Sequence, residues 1–326
     1  MIFSLNKKAA GHRCEHKAIR DGNMDRKVNA IRECFSLEEA VIYACGESVS
    51  IDKKQSVHGG DANEAYKLFL SNGEILFLKR NTVSNADFFR AEAEGIAAIK
   101  LAGKIRVPTV YARGTDAGHS FVLMEYIESG RRQEDFWEQL GAGLAAMHKA
   151  DTALYLERGK YGFDRDNYIG AGYQKNTPMD SWTGFFSECR LRPQFILAEK
   201  YFDSSVVRAA DRLLDNIDRY LYEPDKPSLL HGDLWGGNFM SDENGSPVLI
   251  DPATYVGCNE ADIAMTELFG GFDRRFYESY FDSMGVVPGY EERRELYNLY
   301  HLTNHLNLFG RTYLPSVVRI IKRFSV

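Results

Sequence analysis

Leu229-Leu230-His231-Gly232-Asp233-Leu234-Trp235-Gly236-Gly237-Asn238 is a short apolar burst that breaks at once into a polar, glycine-rich turn. The pattern predicts a buried strand that delivers Asp233 onto a tight loop, with Asn238 five residues later. Thirteen residues beyond Asn238 a second burst, Val248-Leu249-Ile250, delivers Asp251 in Ile250-Asp251-Pro252. A carboxylate at each strand end plus one amide is an oxygen donor set suited to magnesium, with a carboxylate left as a base. In that reading Asp233 orients an acceptor hydroxyl and takes its proton, while Asn238 and Asp251 hold magnesium. His231 is a base by residue type, but two residues ahead of the acid its expected role is to brace the loop.

Phosphoryl transfer from ATP also needs the triphosphate held and water kept out, and the upstream sequence offers the parts in order. Gly59-Gly60 lies between two strand-like stretches and lets backbone amides approach phosphates. Lys79 ends a strand over 75–79 that follows the turn Ser71-Asn72-Gly73. Glu92 falls on a helix expected over 87–101, capped by Ser84, ended by Gly103 and buried through Phe88, Ile96 and Ile99. A strand over 120–126 ends in Met124-Glu125-Tyr126, where Glu125 and Tyr126 would present backbone groups to adenine. Each feature alone is ordinary: a plain turn, a solvated lysine, a solvated glutamate, a strand end. Glycine turn, strand lysine and helix glutamate in that order form the kinase arrangement.

Ser36 and Glu39 have capping-box spacing before a further helix. The first 125 or so residues thus hold a hairpin, a third strand, helices and two more strands. Past Glu128 helical periods dominate, over 136–148, 182–201, 205–222 and 291–309. The expected class is α+β in two lobes: a small N-terminal antiparallel-sheet lobe over 25–126 for the nucleotide, and a larger, mainly helical lobe over 127–326 for catalysis and the acceptor. Residues 1–24, polar and basic without a period, read as an N-terminal extension.

Composition excludes several alternatives. The 326 residues are 44% hydrophobic and 26% charged, as in a globular enzyme. A net charge of −6 argues against a nucleic-acid partner, and no apolar run is long enough to span a bilayer. The five cysteines include no Cys-x-x-Cys pair, so reduced thiols in a cytoplasmic protein, monomeric or weakly dimeric, are expected. His301 and His305 have metal spacing on a helix, but no glutamate lies between them, so packing is expected there.

With these residues assembled, the chain resembles the fructosamine kinase (ketosamine-3-kinase) family, a branch of the protein-kinase-like fold near aminoglycoside and choline kinases. The likeness covers roughly residues 35–310. It rests on the loop quoted above, on Ile250-Asp251-Pro252-Ala253-Thr254-Tyr255, and on the run from Glu260-Ala261-Asp262 through Glu267-Leu268-Phe269-Gly270-Gly271-Phe272. Tyr161-Gly162-Phe163, Asn167, Gly170, Gln174, Asn176, Trp182, Phe185-Phe186 and Arg190-Leu191 extend it. The resemblance implies ATP and Mg2+ as cofactors and Lys79 on the phosphates paired with Glu92. It further implies Asp233 as base, Asn238 and Asp251 as magnesium ligands, and Asp262 as a buried brace. Asn167, Gln174, Trp182 and Trp235 move to the acceptor side, and the implied substrate is a small or protein-bound ketosamine whose 3-phosphate then decomposes, repairing the glycated amine.

Two departures stand out. Gly236 occupies a position where relatives carry a small polar residue, which would loosen the loop. The glycine stretch Gly59-Gly60-Asp61-Ala62-Asn63 has no cysteine, so no redox switch is expected, and Asp61 adds negative charge near the phosphates. The competing readings are a kinase of another alcohol, aminoglycoside- or choline-like, and a non-catalytic nucleotide-binding protein. The neutral-to-mixed segment over 161–190 argues against a cationic acceptor, and the presence of Lys79, Asp233, Asn238 and Asp251 argues against lost catalysis.

Overall fold

The computed structural model describes residues 31–57, 63–156 and 158–325. The chain begins with β1 (Arg32–Cys34), α1 (Leu37–Cys45), β2 (Ile51–Val57), β3 (Glu64–Leu70), β4 (Ile75–Thr82), α2 (Ala86–Ala102), β5 (Val110–Asp116) and β6 (His119–Glu125). These strands form one sheet in the order β1-β5-β6-β4-β3-β2. All pairs are antiparallel except β1 with β5, a parallel edge that periodicity did not reveal. Ser36 caps α1 by accepting from the Glu39 amide at 3.0 Å, while the Glu39 carboxylate reaches back to the Phe35 amide at 2.8 Å. The β3–β4 turn uses Gly73 at φ +85°, a left-handed conformation that suits glycine.

The period of two divides this sheet into two working faces. Leu68, Leu70, Leu76, Leu78, Phe121 and Leu123 pack with Ala40 and Val41 of α1 into a small core. Each such leucine contributes about 1.5–3 kcal/mol by leaving water. Val122 and Met124 on the opposite face join the large core, and Lys79 alternates onto that face between Leu78 and Arg80. The α2 helix begins after a 3-10 turn over Val83–Asn85 instead of on a Ser84 cap, and Gly103 ends it at φ +63°. Its buried aromatic is Phe89; Phe88, expected inside, instead stacks on Tyr168 with ring centroids 3.9 Å apart.

The remainder is largely helical: α3 (Phe136–His148), β7 (Asn167–Ile169), β8 (Gly172–Gln174), α4 (Trp182–Phe185), α5 (Arg192–Ala198), α6 (Ser204–Asp215), β9 (Ser228–Leu230), β10 (Phe239–Ser241), β11 (Pro247–Leu249), β12 (Tyr255–Gly257), α7 (Glu260–Leu268), α8 (Arg274–Met284), α9 (Tyr290–Phe309) and α10 (Leu314–Arg323). The single helix expected over 182–201 is broken by a π-turn at Phe186–Leu191. The cause is Pro193 at the start of α5, which has no N–H to give the turn before it. The carbonyl of Cys189, four residues earlier, accepts instead from the Arg190 guanidinium at 3.0 Å. Two small antiparallel pairs, β9 with β12 and β10 with β11, carry the segments on either side of Asp233 and Asp251.

Candidate active site

β9 is fully buried and ends at His231, where the chain must turn sharply. Gly232 makes the turn at φ +83°; a Cβ there would sit 2.1 Å from the Ala253 carbonyl oxygen, so only glycine fits. Asp262, buried on α7, accepts from the His231 amide at 2.7 Å, the Gly232 amide at 2.8 Å and His148 Nε2 at 3.0 Å. Burial opposes its charge, but the His148 bond, the neighbouring His148 and His231 rings and the Gly232 amide hold the carboxyl below its ordinary range.

His231 Nε2 lies 3.0 Å from the Ile250 carbonyl, and Asp233 N–H donates to Nδ1 at 3.3 Å. These contacts assign a neutral ring with the proton on Nε2, and burial lowers its pKa against the pull of Asp262. With both nitrogens engaged, His231 braces the loop and has no nitrogen left for a substrate proton.

Burial raises the Asp233 carboxyl to about 7, against the Asn238 bond and helped by Asp251 and Asp262. That is the range in which a carboxylate serves as a general base. Asn238 Nδ2 donates to the Asp233 carbonyl at 2.8 Å, to Asp233 Oδ2 at 3.1 Å and to the Asp251 carbonyl at 3.4 Å. Its Oδ1 has no partner among the described residues. Asp251 adopts φ +53°, a left-handed conformation uncommon for a non-glycine residue but one that aspartate tolerates better than most. Its side chain is 47% exposed and meets Lys79, which also donates to Glu92 Oε1 at 2.7 Å. Burial alone would push the Lys79 ammonium down; Glu92 and Asp251 together hold it above its ordinary value.

Toward the adenine side, the Glu125 carboxylate is engaged: it accepts from Arg106 Nη2 at 2.7 Å and from the Thr109 amide at 3.0 Å. Arg106 also pairs with Asp242 in the β10–β11 turn, tying that turn to the strand end. The Tyr126 ring lies 4.2 Å from the Lys67 ammonium. Gly59, Gly60 and Asp61 lie outside the described residues.

On the acceptor side three expectations need correction. Trp182 is 0% exposed and packed among Tyr161, Phe185, Phe186 and Tyr297, so it is core and touches no substrate. Asn167 and Gln174 are 4% and 1% exposed. Asn167 Nδ2 donates to the Thr254 carbonyl at 2.7 Å, and Gln174 Nε2 to the Ala253 carbonyl at 3.0 Å. These amides hold the chain just past Asp251 instead of facing a sugar. Trp235 is different: 43% exposed, its ring folds over Gly237. Gly236 abuts Gly270 and Gly271; a Cβ there meets the Gly270 oxygen at an ordinary 3.4 Å, so a small side chain fits.

The model of the family described as fructosamine kinase matches residues 35–325. The chain belongs to the fructosamine kinase family. It is 39% identical over 300 residues to a probable ketoamine kinase of Synechocystis, covering 91% of this chain and 98% of the relative. It is 41% identical over 280 residues to a chloroplastic protein-ribulosamine 3-kinase of Oryza sativa subsp. japonica, covering 85% and 80%. A crystal structure from Haemophilus somnus 129PT, carrying a provisional fructosamine-3-kinase name, superposes with TM-score 0.77 at 29% identity, over 89% of this chain and 96% of that one. An aminoglycoside phosphotransferase mutant solved with AMP-PNP and hygromycin B gives TM-score 0.57 at 16% identity, over 90% and 98%, which shows the shared kinase-like fold. This fructosamine kinase family member is therefore an ATP-using phosphotransferase with a hydroxyl acceptor.

The donor chemistry of the site fits magnesium. Among the described residues no three His, Cys, Asp or Glu side chains cluster as a metal centre; the oxygens here come from one amide, Asn238, and a half-exposed carboxylate, Asp251. Hard oxygen donors with room for water and phosphate are what magnesium takes. Sequence reading missed His148, whose Nδ1 faces the Tyr280 hydroxyl at 2.7 Å while Nε2 supports Asp262. It also missed Arg106. Neither belongs to a local motif: each acts on a segment more than a hundred residues away. His301 is buried, and His305 Nδ1 lies 2.8 Å from the His301 carbonyl, so neither points to a metal.

Proposed function

We propose that this protein transfers the γ-phosphoryl group of ATP to the 3-hydroxyl of a ketosamine, with Asp233 as base and Asn238 and Asp251 as the residues that hold magnesium. The reading is carried by one observation. A half-buried carboxyl, Asp233, shares the Asn238 amide with the neighbouring Asp251, and Lys79 closes the same site from the sheet lobe. Bound magnesium would supply charge neutralisation for the phosphates.

In the reaction Asp233 accepts the proton as the acceptor oxygen bonds to phosphorus, and the bond to the β-phosphate oxygen breaks to release ADP. Lys79, fixed by Glu92, steadies the phosphates. Trp235 offers an exposed aromatic face beside the catalytic loop. Enolisation toward C1 lets the phosphate on C3 leave with its bonding electrons, and water then hydrolyses the C1 imine that remains, which breaks the carbon–nitrogen bond and frees the amine. This chemistry fits a role in repairing glycated amines, small or protein-bound. No helix of the described residues is long and apolar enough to cross a membrane.

The test is a panel of ribulosamines, fructosamines, an aminoglycoside and choline, with ADP release as the signal. Turnover on ketosamines is expected. Turnover on another alcohol with none on any ketosamine would remove the reading. Replacing Trp235 with Ala should raise the ketosamine KM about tenfold, since an aromatic contact contributes roughly 0.5–1.5 kcal/mol beyond its buried area, and should leave the ATP KM unchanged.

A further inference from the structure

The β7–β8 hairpin touches both halves of the phosphate site, and its alternating side chains divide that work. Asn167 and Gln174 face inward. Besides holding the Thr254 and Ala253 carbonyls, Gln174 Nε2 donates to Asn167 Oδ1 at 2.8 Å, and the Tyr300 hydroxyl donates to Gln174 Oε1 at 2.8 Å. Asn176 Nδ2 adds a second bond to Asn167 Oδ1 at 2.8 Å, and the fully buried Arg190 donates to Asn176 Oδ1 at 2.8 Å. The result is a buried polar network that ends on the two carbonyls immediately after the Asp251-Pro252 pair. Apart from Arg190 Nε, which has no partner among the described residues, the amides of this network are engaged, and displacing them would strand buried donors.

Tyr168 faces the other way. Its ring stacks on Phe88 of α2, and its hydroxyl donates to Asp87 at 3.1 Å. Arg90 of α2 donates to the Asp166 carbonyl at 3.4 Å, and Arg165 lies 3.6 Å from Glu94. This is the helix that carries Glu92. Between hairpin and helix runs the Asp251 segment itself, with the Thr254 hydroxyl donating to the Gly95 carbonyl of α2 at 3.3 Å.

We propose that the β7–β8 hairpin is a strap that fixes the two halves of the phosphate site against each other: one face holds the turn that presents Asp251, the other holds the helix that presents Glu92. Asn167, Gln174 and Tyr168 are then positioning residues for the cation and for Lys79. The proposal rests on Asp251 as a cation ligand, and the experiment separates the two.

Binding of Mn2+ in the presence of AMP-PNP is measured by electron paramagnetic resonance on the full chain and on Gln174→Leu, Tyr168→Ala, Tyr168→Phe and Asp251→Asn. Gln174→Leu should weaken Mn2+ binding about tenfold, the lower end of the loss seen when an outer partner of a metal ligand is removed, with the ketosamine KM within about twofold of wild type. Tyr168→Ala, at a half-buried position, should weaken it similarly and speed amide exchange in α2; Tyr168→Phe, which keeps the stack, should restore most of the loss. Wild-type Mn2+ affinity in both Gln174→Leu and Tyr168→Ala, alongside weakened binding in Asp251→Asn, would overturn the strap alone. Wild-type affinity in Asp251→Asn would overturn the cation assignment beneath it. A raised ketosamine KM in Gln174→Leu with Mn2+ binding intact would return Gln174 to the acceptor side and also sink the strap.

Discussion

Asp233→Asn should lower kcat by about 10²–10⁴-fold, the usual contribution of a positioned general base, while nucleotide still binds. The substitution keeps shape and removes the proton acceptor. The loop around it does not depend on the carboxylate charge: Gly232 turns against Ala253, His231 is held by Ile250, and Asp262 carries the two backbone amides. Asn238 keeps its bonds to the Asp233 and Asp251 carbonyls, so its orientation survives. Lys79, Glu92 and Asp251 are untouched. Equal losses in kcat and kcat/KM would mark an interaction made only in the transition state. Calorimetric titration with ADP and single-turnover kinetics check both halves. Turnover within tenfold of wild type would show that Asp233 is not the base.

Asp262→Ala should be the largest structural loss. It strands the amides of His231 and Gly232 and the imidazole of His148, all buried. Each unsatisfied buried group costs about 1–3 kcal/mol, and three are left together. That is a large share of the roughly 5–15 kcal/mol that holds a domain folded. Thermal and denaturant unfolding should both move, and residual activity should fall because Gly232 no longer fixes Asp233. The effect has a pH signature. The folded Asp262 carboxyl titrates below its unfolded value of about 3.9. Its stabilisation is therefore fully present above that value and fades as pH falls through the lower folded one. The gap between wild type and Asp262→Ala should be widest near neutrality and narrow in acid below about pH 4. A constant gap from pH 7 to pH 3 would show that Asp262 acts by packing and not by its charge.

What the sequence made legible was local in the chain. The strand-to-turn burst at Leu229–Asn238, the Asn72-Gly73 turn and the Ser36 cap are short-range patterns, and the fold contains each of them. The pairing of Lys79 with Glu92 spans only thirteen residues, from a strand to the next helix. What stayed hidden depends on distant contacts. Asn167 and Gln174 have the residue types of a sugar site, but carbonyls about eighty residues away claim their amides. Trp182 carries an aromatic face that a substrate would use, yet the core encloses it. Phe88 and Phe89 are neighbours of equal hydrophobicity; Phe89 faces inward with Ala93 and Ile96, and Phe88 stacks on Tyr168. The break in the helix after Trp182 was legible in principle from Pro193 and its missing donor. His148 and Arg106 sit in no motif, and only the folded chain joins them to Asp262 and Asp242.

The central claim is the transfer itself, and its most direct measurement is the position of the new phosphate. Wild-type protein is incubated with magnesium, ATP and a ribulosamine carrying carbon-13, and phosphorus–carbon coupling in the product is read by NMR. Coupling from phosphate bound through the oxygen on C3 is expected in wild type and not, over the same incubation, in Asp233→Asn. Phosphate on another carbon, or no transfer to the ketosamine while a different alcohol is phosphorylated, would contradict it.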